Sequence, residues 1–271
     1  MGWASMNEDN ESRYFNATII RNKVDRVMNN NATTSSSQRD KKSAGPTKLK
    51  TFAAPQARPL PVIILADVSG SMAENGKIDA LNVAVEQMVA SFAKESRLRA
   101  EIQVGLITFG GRDAMTHLPL VAAQSVNGIT RFSASGGTPM GAAFEVARKL
   151  LEDKDQISSR AYRPVLVLVS DGAPTDDWEG PLSALKASER AQKASRIALA
   201  IGADADRDLL AQFANDPEAP VFEAHEAQDI RRFFHAVTMS VVARSASATP
   251  DQTTAIEMGE IPDDDLDLDA I

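Results

Sequence analysis

Short apolar runs that end in an aspartate alternate with helix-like segments from about residue 60 onward. The run 61–66 (Pro-Val-Ile-Ile-Leu-Ala) stops at Asp67, and the apolar run 165–169 leads through Ser170 to Asp171. A run of five apolar residues fits a central strand that is buried on both faces. Strands that alternate with helices are typical of a parallel-sheet α/β domain. The order of these patterns therefore predicts an open, mostly parallel central sheet with helices on both faces.

Other segments predict individual elements of this sheet and its helices. Apolar residues recur at helical spacing over about 77–95, which predicts an amphipathic helix. The predicted strand 102–109 is followed by the turn 110–113 and by 115–121, which we expect to form the one antiparallel edge strand. Thr138-Pro139 is predicted to cap and open the next helix, because Thr is a good N-cap and Pro suits the first helical position. Further strands are expected at 165–169, 195–201 and 221–222, and a closing helix at 229–243.

Five side chains with oxygen ligands lie at predicted strand ends or helix starts. They are Asp67, Ser69 and Ser71 after the first strand, Thr138 at a helix start, and Asp171 after the central strand. In open parallel sheets, ligands bind outside the carboxyl ends of the strands where the strand order reverses, so we expect the two aspartates to meet there. Carboxylate and hydroxyl oxygens suit hard divalent cations. The sequence therefore predicts a Mg²⁺ site, with Mn²⁺ as the second candidate, in which hydroxyls outnumber carboxylates and the ion keeps surplus positive charge.

The spacing of these five residues resembles a known motif. Asp67-x-Ser69-x-Ser71, followed by the distant Thr138 and the distant Asp171, resembles the metal-ion-dependent adhesion site of von Willebrand factor A domains at all five positions. The resemblance implies a Rossmann-like α/β fold. It also implies a protein-binding module in which the metal ion accepts an Asp or Glu of a partner protein.

The resemblance covers about residues 58 to 245. Within it, the segments 170–178 and 201–206 are most similar to the bacterial TerY-like branch, which is associated with tellurium resistance and stress operons. That branch implies a role in stress response or phage defence. It also implies partners such as a protein kinase and a metal-dependent protein phosphatase of the PP2C type.

Composition and charge argue against several functions. The net charge of −8 disfavours general nucleic-acid binding, which needs a basic surface. The chain has no cysteine, which excludes a disulfide framework and thiolate metal sites. There is no apolar run long enough to span a membrane, and residues 1–9 lack the pattern of a signal peptide. We therefore expect a cytoplasmic protein that binds neither nucleic acid nor membrane.

An acidic loop follows the predicted site. In one interpretation, Asp176 and Asp177 cap a helix that begins near Trp178-Glu179. In the other, these residues form a rim that shapes the choice of partner. An exposed Trp178 would be an interface anchor of the kind enriched in binding hot spots, but it could equally pack under the loop.

The sequence offers less support for catalysis. The segment 70–77 has five residues between its glycines instead of four and lacks the hydroxyl that follows the lysine in a phosphate-binding loop. Ser69 stands where a D-x-D phosphatase has its second aspartate. We therefore expect no enzymatic activity. Two alternatives remain: a metal-assisted hydrolase that uses Asp113, Asp176 or Asp177, and an adaptor subunit of a chelatase or AAA-type ATPase complex.

The two ends of the chain differ from its centre. Residues 1–57 are rich in Asn, Ser, Thr and Lys, which predicts a flexible arm, and residues 246–271 are predicted to be a flexible acidic tail. The tail finishes with the acidic and aliphatic run 263–271. Its Asp267 or Asp269 could fill the open metal position, in the same chain or in a neighbouring subunit. The tail is therefore a candidate autoinhibitor or self-assembly link.

Overall fold

A computed structural model describes residues 57–95, 99–215, 221–252, 256 and 258–259. The strands are β1 Arg58–Asp67, β2 Ala100–Gly110, β3 Asp113–Ala122, β4 Val165–Ser170, β5 Ser195–Ile201 and β6 Phe222–Ala224. The helices are α1 Lys77–Lys94, α2 Met140–Glu152, α3 Glu179–Ala187, α4 Glu189–Lys193, α5 Arg207–Phe213 and α6 Ala227–Ala246. Two 3₁₀ segments cover Gly70–Gly76 and Ala123–Ser125.

The strands form one sheet in the order β3-β2-β1-β4-β5-β6. β1 runs parallel to β2 on one side and to β4 on the other, whereas β3 is antiparallel to β2. The predicted open and mostly parallel sheet with one antiparallel edge strand is therefore confirmed. The chain moves outward from β1 in one direction and then returns to place β4 on the other side of β1. The strand order thus reverses between β1 and β4, which is the position where ligands bind in such sheets.

Both faces of the sheet are covered by helices, as predicted. Successive side chains of a strand point to opposite faces. On β1, Val62 and Ile64 belong to the core layer of α1 and α6, whereas Ile63 and Leu65 belong to the layer that includes Phe144 of α2. Burial on both sides explains why the central strands read as continuous apolar runs rather than alternating ones.

Some boundaries differ from those predicted. α1 ends at Lys94, one residue early, and α6 extends beyond the predicted helix 229–243 at both ends. α5 has no counterpart among the predicted helices, although Asp206 caps it by accepting a hydrogen bond from the Leu209 amide at 3.0 Å. An aspartate three residues before this amide is the usual signature of such a start, but the apolar run after it is short.

The folded region also continues past the predicted domain end at 245. That position lies inside α6, and the chain beyond the helix stays bonded to the domain. Arg244 Nε donates to the Pro250 carbonyl at 3.0 Å, and the Arg163 amide donates to Asp251 Oδ1 at 2.8 Å. The predictions for residues 1–56 and for residues 260–271 lie outside the described residues. No helix in the described part of the chain has both the length and the apolar character needed to cross a membrane.

Candidate metal centre

The ends of β1 and β4 bring the first functional groups together. The two strands pair in register up to Ala66 and Val169, so Asp67 and Ser170 come next on either side. Ser170 Oγ donates to Asp67 Oδ2 at 2.5 Å. Asp171 follows directly, so both predicted carboxylates lie where the strand order reverses.

Ser69 and Ser71 connect these two carboxylates. The Ser69 amide donates to Asp67 Oδ1 at 2.8 Å, which folds the loop back over the end of β1. Ser69 Oγ lies 3.1 Å from Ser71 Oγ, and Ser71 Oγ donates to Asp171 Oδ1 at 2.7 Å. Four of the five predicted ligands therefore form one hydrogen-bonded cluster.

The fifth predicted ligand, Thr138, lies on the same edge. A Cβ atom added to Gly172 would lie 3.8 Å from Thr138 Oγ1, so this hydroxyl is beside the residue that follows Asp171. Thr138 is held there by Thr175: the Thr138 amide donates to Thr175 Oγ1, and the Thr175 amide donates to the Thr138 carbonyl, both at 2.9 Å. The predicted capping role of Thr138 is wrong, because α2 starts at Met140 and Pro139 is its cap residue. The Thr138 hydroxyl is thus one residue before the cap.

The segment before Thr138 is fastened to two other loops. The Ser135 amide donates to the Val68 carbonyl at 2.8 Å, and the Gly70 amide donates to the Gly136 carbonyl at 2.9 Å. Gly136 has a positive φ of 68°, and a Cβ there would lie 2.4 Å from the Gly111 Cα. Only glycine tolerates both the conformation and this approach. The close contact holds the segment before Thr138 against the β2–β3 turn, and the two hydrogen bonds hold it against the loop that carries the serines.

Asp176 has a capping role, but at a different helix from the one predicted. Its Oδ1 and Oδ2 accept hydrogen bonds from the Gly141 and Ala142 amides of α2 at 3.0 and 2.9 Å. These are amides that a helix start leaves without partners, and a negative charge is favourable there. Neither Asp176 nor Asp177 caps α3, which has Trp178 as its cap residue without a side-chain capping bond.

The other two rim candidates differ in exposure. Asp177 is exposed, whereas Trp178 is half-buried and packs against the core layer of α2. Trp178 thus lies partly under the loop. A partner-binding rim at Asp177 and Trp178 stays a prediction, and the carboxylate of Asp176 is already engaged by α2.

Burial controls the charge of the site. Asp67 is fully buried, and this desolvation raises its pKa from 3.8 to about 6, although hydrogen bonds from Ser170 and Ser69 oppose the shift and the charge of Asp171 adds to it. Asp171 has a cationic partner, since Lys77 Nζ lies 2.8 Å from its Oδ2. Among the described residues, no lysine, arginine or histidine pairs with Asp67. Ionised Asp67 therefore leaves one buried negative charge that a cation would stabilise.

The donor set fits a hard divalent cation. The four deepest predicted ligands are at most 5% exposed, whereas Ser71 is exposed and marks the open side of the site. All five offer oxygen, as such ions prefer. Within the described residues, no group of three or more His, Cys, Asp or Glu side chains is placed to hold an ion. The two carboxylates and three hydroxyls are therefore the arrangement that could hold a metal here.

Comparison with known families supports this description. The model of the von Willebrand factor type A domain matches residues 62–236. The chain belongs to this family.

One relative of this von Willebrand factor A domain is an uncharacterized protein of Mycobacterium tuberculosis. It is 31% identical over 116 residues, which are 42% of this chain and 18% of that protein. The chain thus matches less than a fifth of the relative's length.

Solved structures of low sequence identity share the fold. Proximal thread matrix protein 1 from the mussel byssus, solved with zinc in its metal-ion-dependent adhesion site motif, has a TM-score of 0.55 at 16% identity, over 69% of this chain and 48% of that one. A von Willebrand factor type A protein from Catenulispora acidiphila has a TM-score of 0.52 at 20% identity, over 68% and 42%. A pilus adhesin from Lactobacillus rhamnosus GG has a TM-score of 0.56 at 18% identity, over 70% and 32%.

Sequence reasoning missed two residues in the site of this von Willebrand factor A domain. From the sequence, Ser170 is only the last residue before Asp171, although its place opposite Asp67 follows from aligning the two strand ends. Lys77 enters the sequence argument only as the end of the rejected phosphate-binding loop and as the start of a predicted helix. Its contact with Asp171 depends on the loop between Gly70 and α1, for which the sequence holds no clear signal.

Proposed function

We propose that this chain is a metal-dependent adaptor module that binds a protein partner through an acidic side chain of that partner. The observation that carries the proposal is the buried, hydroxyl-rich oxygen cluster with one unpaired carboxylate, Asp67, at the switch point of the sheet. When bound, a divalent ion supplies a Lewis-acid position that attracts a carboxylate.

Each residue of the cluster has a role in this proposal. Asp67 supplies the negative charge that holds a cation, and Ser69, Ser71 and Thr138 supply neutral oxygens that leave the cation's charge largely uncompensated. Asp171 contributes a carboxylate whose charge Lys77 already balances. A site built this way favours an additional anionic ligand. Its exposed side at Ser71 is where a partner's Asp or Glu would enter.

Mg²⁺ is the metal we propose, with Mn²⁺ as the alternative, because the donor set contains oxygen alone. The zinc in the mussel protein supports a divalent cation for this type of site. The assignment to the TerY-like branch rests on the similarity of residues 170–178 and 201–206. From that branch we propose a cytoplasmic role in stress response or defence, with a protein kinase and a PP2C-type phosphatase as partners.

We propose binding rather than catalysis. A metal-assisted hydrolase would need a further carboxylate or base beside the ion. Asp176 has both carboxylate oxygens on α2 amides, and Asp113 is exposed with its Oδ1 on the Ala114 amide at 2.8 Å. These contacts do not favour either carboxylate as a general base beside an ion held by Asp67. The adaptor role within a chelatase or ATPase complex differs only in the partner, which the experiment below would identify.

Pull-down from the source organism's lysate tests the proposal. Wild type, Asp67→Ala and Asp208→Ala are compared in Mg²⁺ and in EDTA; Asp208 is an exposed aspartate on α5 and serves as the control. We expect a partner that is retained by wild type and the control in Mg²⁺, and lost in EDTA and with Asp67→Ala. Full, Mg²⁺-dependent capture by Asp67→Ala would overturn the site assignment. Capture that ignores both EDTA and the substitution would move binding to another surface.

A further inference from the structure

Lys77 makes an ion pair with a residue of the metal centre. Its Nζ lies 2.8 Å from Asp171 Oδ2; the Asp171 side chain is fully buried, and that of Lys77 is 17% exposed. Lys77 is also the first residue of α1. A positive charge at a helix start opposes the helix dipole, so helix stability does not account for a lysine at this position.

The loop before Lys77 has an unusual backbone. Asn75 has a positive φ of 55° and Gly76 has one of 69°, so two consecutive residues are left-handed. This conformation is uncommon for a residue other than glycine. The two residues turn the chain between the 3₁₀ segment and α1, and the Lys77 amide closes the turn by donating to the Met72 and Glu74 carbonyls. The turn thereby places Lys77 over the end of β4.

The two carboxylates of the centre are treated differently. Asp171 Oδ1 accepts from the neutral Ser71 hydroxyl, so within the described part of the chain Lys77 supplies the counter-charge of Asp171. Among the described residues, the hydrogen bonds to Asp67 come from Ser69 and Ser170, which are neutral donors. One of the two acidic groups thus carries a built-in cation.

We propose that Lys77 is an intrinsic electrostatic competitor of the metal ion. Its ammonium group neutralises Asp171 and repels a divalent cation, so it lowers the affinity of the centre for metal. The same positive charge strengthens the attraction of the loaded centre for a partner carboxylate. Lys77 thus weakens the binding of the metal ion and strengthens the binding of the partner to the metal-loaded site. The inference rests on the proposed function and deepens it by naming the residue that regulates this site.

The cleft beside Lys77 contains further acidic side chains. The cleft that Lys77 and Asp171 line together is also lined by the exposed acidic residues Glu74 and Asp204. Both carboxylates lie in the same cleft as the ammonium group and add negative charge on its solvent side.

Calorimetric titration of the full chain with Mg²⁺ and, separately, with Mn²⁺ tests the inference. Lys77→Met removes the charge and keeps most of the chain length. Lys77→Arg keeps the charge. Lys149→Met removes an exposed lysine that pairs with Glu145 on the surface of α2. We expect Lys77→Met to lower the dissociation constant for Mg²⁺ at least about tenfold, since like charges repel strongly at this depth. Lys77→Arg and Lys149→Met should stay within about twofold of wild type, since both keep the charge at the centre.

A second measurement separates competition from a merely structural role. In EDTA, the Lys77→Met substitution leaves Asp171 without a counter-charge. The melting temperature of the variant should therefore fall below that of wild type. Saturating Mg²⁺ should restore it, with a larger metal-induced rise than in wild type. If Lys77→Met does not fold in EDTA, Lys77→Gln, which can still donate a hydrogen bond to Asp171, takes its place in both measurements.

The outcomes distinguish this inference from the proposed function. If wild type binds Mg²⁺ and Lys77→Met binds it with equal or weaker affinity, the competitor role is overturned. The proposed metal-dependent adaptor function would be unaffected by that result. No metal binding in either protein would overturn both. For an identified partner, Lys77→Met should also weaken binding at saturating Mg²⁺, and stronger binding would contradict the second half of the inference.

Discussion

Ser170 Oγ lies 2.5 Å from Asp67 Oδ2 and joins the ends of β1 and β4 where the strand order reverses. Both side chains are fully buried. A hydroxyl that donates to a carboxylate favours its charged form, so Ser170 lowers the pKa of Asp67 against the larger opposing effect of burial. Ser170 thereby helps to keep a predicted metal ligand ionised.

Ser170→Ala should therefore weaken metal binding. Removing the hydroxyl takes away the donor that orients Asp67 and raises the pKa of this carboxylate further. Loss of such a supporting hydrogen bond typically costs about tenfold to a hundredfold in metal affinity. Calorimetric titration with Mg²⁺ at neutral pH measures the change. Ser195→Ala is the control, because the Ser195 hydroxyl has no hydrogen-bond partner among the described residues; equal affinities for the two variants would contradict this role.

In EDTA, the burial of Asp67 should lower the free energy of unfolding by an amount that depends on pH, and this loss is the cost of burying the charge. Its pKa is higher in the folded protein, at about 6, than the ordinary 3.8, so the folded state binds this proton more tightly. The cost is absent below about pH 4 and grows as pH rises through the folded pKa. Asp67→Asn removes it. The unfolding free energy of Asp67→Asn relative to wild type should therefore rise with pH, by an amount that approaches about 3 kcal/mol at neutral pH.

Urea unfolding of both proteins between pH 4 and neutrality measures this difference. Any loss of hydrogen bonds in Asp67→Asn adds an offset that does not vary with pH, so the slope carries the test. Saturating Mg²⁺ should abolish the rise, because a bound cation stabilises the ionised carboxylate of wild type. A difference in unfolding free energy that does not vary with pH in EDTA would show that burial does not raise the pKa of Asp67.

The strands and the positions of the predicted metal ligands at the sheet edge could be predicted because short-range patterns determine them. Each apolar run that is buried on both faces ends at the sheet edge, so the polar residues that follow it lie there: Asp67 after the first run, and Ser170 with Asp171 after the central one. Parallel strands bring their carboxyl ends to one edge whatever their separation in sequence. The predicted sheet was therefore sufficient to place the two aspartates together without any prediction of loop conformation.

The loops could not be predicted in this way. Asp176 caps α2 from 35 residues away, whereas its sequence neighbours suggested the adjacent α3. Lys77 meets Asp171 across 94 residues of sequence. Both contacts depend on how loops pack over the sheet, and capping signals within a few residues hold no information about such distant partners.

The cap on α2 predicts different effects for two neighbouring aspartates. Asp176→Ala leaves the Gly141 and Ala142 amides without their acceptor and should lower the unfolding free energy by about 1–2 kcal/mol. Asp177→Ala removes an exposed side chain and should change stability little. Urea unfolding compares the two, and an equal loss in both would contradict the capping role. Reduced partner binding by Asp177→Ala alone would support the predicted rim.

Deletion of residues 263–271 tests the predicted inhibitory tail. If Asp267 or Asp269 occupies the metal position, a partner carboxylate must displace it. The shortened chain should then bind the partner more tightly than the full chain at the same Mg²⁺ concentration. A surface-binding assay with the partner immobilised and each chain in solution measures the two affinities, with Asp67→Ala as the negative control. An unchanged affinity would reject the tail as a ligand of the metal.

Gly141 is the position where a single methyl group should disturb both the fold and the site. A Cβ there would lie 2.1 Å from the Asp177 carbonyl oxygen and 3.0 Å from Asp176 Oδ2, so the loop over α2 must move. Gly141→Ala should cost about 2–3 kcal/mol of unfolding free energy through overpacking. The same loop holds Thr138 through Thr175, so metal affinity should fall as well.

Gly180→Ala is the matched control for this substitution. Gly180 lies in α3, and a Cβ added there would have no other atom within 4 Å, so alanine should be neutral or stabilise the helix by up to about 1 kcal/mol. Urea unfolding and Mg²⁺ titration of both variants separate the two effects. Equal stability of the two would show that the loop is not packed against α2 as described. Lower stability with unchanged metal affinity would instead show that Thr138 keeps its place when the loop moves, or contributes little to metal binding.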